Sequence, residues 1–282
     1  MRRRIKTKSM RVVLRLAVGL IMSLFVLGTS NAKNKEGFTS HKGWFKKANP
    51  VTCGIKLEDD GYYELTENLT CSANPAIQIT GPANLNLRGH TLSSDVGNNI
   101  GIEISGSGAK VWNGTVTQFD YGIRIDSSGS NNEVTYIKAI HNYSRGIRID
   151  KSANENLVKK CVAAHNANQG IVVKGIDNKI FSCEVHDNCR DGIEIDDTAE
   201  GNLVYYNHVK NNGNLETCEQ FGLGGDKYTP WNYAGIDAVE GSQNNEIKGN
   251  RASGNRGCFG TDQSPCTADE RNFWDENSPN RW

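Results

Sequence analysis

Five asparagines, Asn132, Asn156, Asn178, Asn202 and Asn245, each open one pattern: an aliphatic residue two positions on, a small or aliphatic residue seven on, and a second asparagine ten on. The aliphatic positions are Val134, Val158, Ile180, Val204 and Ile247, and the small or aliphatic ones are Ala139, Ala163, Val185, Val209 and Ala252. The closing asparagines are Asn142, Asn166, Asn188, Asn212 and Asn255. A second phrase, Gly-Ile-x-Ile or a near variant, starts at Gly101, Gly122, Gly146, Gly170, Gly192 and Gly235. These glycines are 21, 24, 24, 22 and 43 residues apart. That spacing is a solenoid whose turns take about 22–24 residues, interrupted by one insertion.

Within each phrase the apolar residues sit at i and i+2, the period of a strand with one buried face. Short β-branched strands broken by Gly and Asn, all repeating in one direction, pair in parallel with the next turn. Equivalent residues then stack about 4.8 Å apart. Stacked asparagines can hydrogen-bond from turn to turn and tolerate the left-handed backbone of sharp corners. The expected fold is all-β: a single-stranded right-handed parallel β-helix with N- and C-terminal caps.

These residues resemble the right-handed parallel β-helix repeat family of pectate-lyase-like fold, over roughly Cys53 to Asn255. The segments Cys53-Gly54, Gly61–Leu65, Asn68–Cys71 and Asn84–Thr91 are similar to the opening found in many secreted members. The resemblance implies the fold. It leaves open lyase, epimerase, hydrolase and non-catalytic roles.

At the N-terminus, Arg2, Arg3, Arg4, Lys6, Lys8, Arg11 and Arg15 precede an apolar run, Leu16 to Leu27, that ends near Ser30-Asn31-Ala32. The run is too short to span a bilayer and reads as a secretory signal peptide, residues 1–32, with no membrane insertion after cleavage. Residues 33–72 then form an N-terminal cap, 73–258 the solenoid with an insertion at about 213–231, and 259–282 a C-terminal cap. The chain carries 32 basic and 32 acidic residues, but the signal holds seven of the former and none of the latter. The mature protein is therefore acidic by about seven charges, which argues against nucleic acid as a partner. An acidic polysaccharide stays open through a local basic patch or bound Ca²⁺.

Eight cysteines in an exported chain favour disulfides. Cys53 pairs naturally with Cys71, Cys258 with Cys266, and Cys189, beside a corner, could staple Cys218 of the insertion. Cys161 and Cys183 share an inward column with Ile137 and read as buried thiols, with a turn-to-turn disulfide as the alternative.

Function must come from outward positions. The x position of the glycine phrase gives the column Glu103, Arg124, Arg148, Val172, Glu194, Asp237, expected to face solvent. The residue after the phrase gives Ser105, Asp126, Asp150, Lys174, Asp196, Val239. The insertion, 19 residues longer than the other corners, emerges beside this charged flank. It brings Lys227, Tyr228, Trp231 and Tyr233, rings able to pack on sugar faces. With Arg124, Asp150 and these residues binding substrate, Arg148, Lys174, Glu194, Asp196 and Asp237 are the candidate catalytic set. No cofactor is required, though Asp196, Asp197 and Asp237 are a candidate Ca²⁺ set.

Two chemistries fit. Neutralising a uronate carboxylate acidifies the adjacent C–H for abstraction by a side-chain base, giving a lyase or a C5-epimerase. Alternatively Glu194 and Asp237 form a retaining hydrolase pair. The Asn-Thr-Asp and Gly-His-Gly elements of polygalacturonases and the Asp-Pro-His-Asp motif of many alginate epimerases are absent. His141, His165, His186 and His208 read as surface or corner residues. The competing class is a non-catalytic glycan-binding or structural envelope or matrix module, in which the charged flank is a self-paired ladder.

Overall fold

The computed structural model describes residues 48–223, 233–255, 273–275 and 280–281. The signal segment, Lys227, Tyr228, Trp231 and the Cys258–Cys266 pair lie outside them. The described chain coils into two parallel sheets. The nine-stranded sheet runs from Ile55–Leu57 to Phe273–Asp275 and collects the glycine phrases. The fifteen-stranded sheet collects the asparagine phrases. Its strands Lys110–Thr117 and Glu133–Ile140 run unbroken, whereas later turns divide into pairs such as Leu157–Lys159 and Val162–Ala164.

The register is the one the repeat dictates. Val134, Val158, Ile180, Val204 and Ile247 stand opposite one another in successive turns, and all are buried in one continuous core. Phrase glycines are required by crowding. A Cβ on Gly146 would lie 2.7 Å from the Gly170 carbonyl and 2.8 Å from the Asn166 amide nitrogen, and Gly192 is equally confined.

From Gly108 onward each turn bends at three corners, and each corner uses one residue of left-handed backbone. The ladder asparagines do not occupy that conformation themselves, contrary to the expectation above; the residue before each does. Asn131, Glu155 and Asp177 precede the opening asparagines, and His141, His165 and Asp187 precede the closing ones, with φ between 52° and 55°. The left-handed residue redirects the chain so that the following side chain points inward, where its amide can pair with its copies. Asn166 Nδ2 donates to Asn188 Oδ1 at 2.8 Å and to the Ala139 carbonyl at 3.1 Å. Its Oδ1 accepts from the backbone N–H and Nδ2 of Asn142, each at 3.0 Å. Every buried donor and acceptor of the amide is thereby satisfied.

A third ladder occupies the middle corner, behind Tyr136, Lys160, Ser182 and Tyr206, all left-handed. It begins with Ile137, continues through Cys161 and Cys183, and ends as asparagine: Asn207 Oδ1 accepts from the Cys183 N–H, and Asn207 Nδ2 donates to Asn250 Oδ1. Cys161 and Cys183 are buried and unbridged.

Two disulfides form among the described residues, Cys53–Cys71 and Cys189–Cys218. The strands between Cys53 and Cys71 already pair in register with the following turn, Ile55 against Ile77 and Leu57 against Ile79. The insertion opens with a helix, Leu215–Gln220, N-capped by the Asn214 side chain. Cys218 fastens it to the solenoid, and the Phe221 ring meets Tyr143 edge-on at 5.7 Å. No helix among the described residues is long and apolar enough to cross a membrane.

Candidate functional site

The outward face of the nine-stranded sheet carries the charged columns. Glu103, Arg124, Arg148, Val172, Glu194 and Asp237 are direct register partners in that order. They are less open than expected, for Val172 is fully buried and Asp237 is 8% exposed. The buried valine divides the face into two groups.

The first group is an ion-pair ladder. Arg124 and Arg148 stack as like charges, and Asp150 relieves them by accepting from both: from Arg124 Nε at 2.7 Å and from Arg148 Nε. Arg124 also reaches Glu103 at 3.4 Å and Asp126 at 3.9 Å. Arg148 lies 5.3 Å over the Tyr121 ring. Lys174 pairs with Asp196. The cations proposed from sequence to meet a uronate are thus engaged with aspartates.

The second group is a carboxyl cluster, and it includes residues that the sequence reading missed. The position before four of the six phrase glycines is polar and forms a further column, Tyr121, Arg145, Gln169 and Asp191. Tyr121 and Arg145 are register partners, and the carbonyls of Gln169 and Asp191 accept from the glycine N–H of the preceding turn. Gln169 Nε2 donates to Glu194. Burial pushes the Glu194 carboxyl above its ordinary range; Arg145 opposes this and the charge of Asp196 adds to it. Asp191 is held well above the carboxylate range by burial, reinforced by Asp237 and Glu194, although its Oδ1 accepts from the Ala234 N–H at 2.6 Å. Asp120 is raised by burial too, against the pull of Arg145 and Arg148. Arg145 Nε and Gln169 Oε1 are buried with no hydrogen-bond partner among the described residues. The arrangement offers carboxyls held above their ordinary range, a cation and a primary amide on one face, the makings of acid–base chemistry on an anion.

The proposed Ca²⁺ set does not converge. Asp196 carries Lys174 on its carboxylate, and burial, which would raise it, is outweighed by hydrogen bonds from Asp197 and Lys174, so it titrates low. Asp237 stacks instead on Glu194, and the three carboxylates do not come within 4.8 Å of one another as a group. Among the described residues these three carboxylates do not assemble the six or more oxygens that a hard cation takes. Of the proposed sugar platform, Tyr233 is described: its ring lies 5.5 Å under the Arg190 guanidinium, at the edge of the carboxyl cluster.

Three of the four histidines singled out from sequence gather at one corner, while His208 stands opposite Glu184. His141 and His165 stack with ring centroids 5.0 Å apart, and His165 meets His186 edge-on at 5.8 Å. His186 Nδ1 lies 2.7 Å from Asp187 Oδ2.

The description "right handed beta helix region" matches residues 75–273. The chain belongs to the right-handed β-helix family. No curated protein sequence matches it. Among solved structures of the same fold, the Dettilon tailspike protein is 10% identical with a TM-score of 0.52, covering 80% of this chain and 60% of its own. ORF18 of Geobacillus virus E2 is 13% identical with a TM-score of 0.49, over 84% of this chain and 50% of its own. The A-module of the mannuronan C-5 epimerase AlgE6 of Azotobacter vinelandii is 14% identical with a TM-score of 0.42, over 84% and 75%. The chain spans 50% of the length of the first of these matches, the virus E2 protein. At such identities the likeness is one of fold.

Proposed function

We propose that this β-helix protein is exported and acts on an acidic, uronate-containing polysaccharide by lyase or C5-epimerase chemistry on the outward face of its nine-stranded sheet. The observation that supports this is the carboxyl cluster: Asp191 and Glu194, both raised by burial, share a face with Arg145. The disulfides fit an oxidising compartment.

Arg145 replaces Arg148 and Lys174 as the group that meets the uronate carboxylate, because those two are already paired. Substrate carboxylate held against Arg145 draws charge from the adjacent C–H. An ionised Glu194, its basicity raised by its surroundings, takes that proton. The electron pair left on carbon is delocalised into the carboxylate. It then expels the glycosidic oxygen, which takes up the proton held by Glu194 and leaves a double bond, or it takes a proton from water on the other face, which inverts the carbon. Asp237, one turn away, is placed beside Glu194 for proton exchange. The observation that favours a second reading, a non-catalytic glycan-binding module, is the Arg124–Asp150–Arg148 ladder, which is self-neutralised.

The deciding assay incubates purified mature protein with a panel of polyuronates, following absorbance of the unsaturated product and, separately, uronate composition by NMR. Turnover lost in Glu194→Gln with binding retained supports the catalytic reading. Binding without turnover in the unsubstituted protein selects the module, and no binding of any polyuronate overturns both.

A further inference from the structure

The corner formed by His165, His186 and Asp187 lies apart from the proposed chemistry and was unremarkable in the sequence. Three facts single it out. One ligand atom from each of these side chains lies within 4.8 Å of the other two, and among the described residues this is the one group of three such donors so disposed. The donors come from adjacent turns, since His165 and Asp187 precede the stacked asparagines Asn166 and Asn188, so the solenoid register itself holds them together. The corner is also braced from outside. Asn214 Nδ2 donates to Asp187 Oδ1 at 3.2 Å, Thr217 Oγ1 donates to the Asp187 carbonyl at 2.8 Å, and Cys189–Cys218 pins the same helix two residues along.

We propose that His165, His186 and Asp187 bind a borderline transition-metal ion of the Zn²⁺ class. Two imidazoles and one carboxylate suit Zn²⁺, Ni²⁺ or Cu²⁺ and not the all-oxygen shells of Ca²⁺ or Mg²⁺. Metal–ligand bonds of about 2.0–2.2 Å place tetrahedral donors roughly 3.3 Å apart, so the ion draws the three atoms inward by small side-chain rotations. His186 and Asp187 are each 21% exposed, sheltered enough to hold an ion and open enough to leave it a water-filled fourth position. Asp187 remains oriented by Asn214 after His186 turns toward the metal, the outer-shell support that ligating carboxylates require. The ion would clasp two turns beneath the insertion helix.

The test uses untagged, chelator-treated mature protein. Isothermal titration with Zn²⁺ alone, and with Ca²⁺ alone, is run beside thermal melts, and Co²⁺ serves as a spectroscopic stand-in through its visible absorption. The expectation is one Zn²⁺ per chain, no comparable Ca²⁺ binding, a melting temperature raised by Zn²⁺, and a Co²⁺ spectrum of low coordination number. His165→Asn, which suits the left-handed backbone, and His186→Gln should each weaken Zn²⁺ at least tenfold and abolish the thermal shift, while His208→Gln should change neither. Should His165→Asn fail to fold, His186→Gln carries the test. Absence of Zn²⁺ binding, preference for Ca²⁺, or binding unchanged in both ligand variants would overturn the site.

Discussion

Replacing Asn188 by alanine tests the stabilising logic of the fold at a single position. The Asn188 side chain makes four hydrogen bonds: Nδ2 to the Ala163 carbonyl at 3.0 Å and to Asn212 Oδ1 at 2.9 Å, and Oδ1 from the Asn166 N–H at 3.1 Å and from Asn166 Nδ2 at 2.8 Å. Truncation does not waste all four. Asn212 Oδ1 keeps its bond from the Asn188 N–H, and Asn166 Nδ2 keeps the Ala139 carbonyl. One group is left buried and alone, the Asn166 N–H; the Ala163 carbonyl keeps its ladder bond in the Ala164–His186 pairing. At about 1–3 kcal/mol for a buried orphan, the loss is about 1–3 kcal/mol, read as a fall in the urea midpoint at unchanged slope. Asn154→Ala, which removes one 3.3 Å bond to the Ser152 carbonyl at the surface, should cost under about 0.5 kcal/mol. Equal losses for the two variants, or a loss at Asn188 below about 1 kcal/mol, would refute the claim that the ladder closes the hydrogen-bond requirements of the core.

Asp191→Asn should stabilise the protein at neutral pH. A carboxyl raised in the fold contributes fully below its ordinary value of 3.8, and that contribution is lost as pH rises toward the folded value, so the advantage of the amide should vanish in acid melts. In the ion-pair ladder, Arg148→Ala leaves Asp150 paired with Arg124 and should cost less than about 1 kcal/mol. Asp150→Ala removes the carboxylate shared by two stacked guanidiniums and should cost clearly more in the same denaturant titration. Removing the Cys189–Cys218 bridge, which spans 29 residues, should destabilise by about 3–4 kcal/mol on chain-entropy grounds. It should also expose the Leu215–Gln220 helix to limited proteolysis.

The fold was legible because its two strongest signals, the asparagine ladders and the phrase glycines, are sites where one residue type alone serves. An amide is needed to satisfy four bonds at Asn166, and only glycine fits beneath the Asn166 amide at Gly146. The middle ladder was legible as the inward column of Ile137, Cys161 and Cys183 but not in its continuation to Asn207 and Asn250, because chemically different residues do one inward-packing task. The left-handed corner residues escaped notice for the same reason, since Tyr136, Lys160, Ser182 and Tyr206 share a backbone conformation and no side-chain property. At the site, the phrase interior pointed to Glu194 and Asp237 but not to Asp191 or Arg145. Those stand one position before the glycine, and the repeated polar character of that column was the available signal. The histidine corner depends on register: the residues before the closing asparagines, His141, His165 and Asp187, share one column, and His186 stands in the adjacent column opposite Ala164.

The most direct test of the proposed role is calorimetric titration of the mature protein with a defined oligouronate and, in parallel, a neutral oligosaccharide of equal length. Binding of the acidic oligomer alone, weakened at least tenfold by Arg145→Ala with the melting temperature nearly unchanged, is the predicted result, since a charged clamp on a carboxylate contributes far more to a ligand than to the fold. Equal affinity for the two oligomers, or acidic binding indifferent to Arg145, would contradict it.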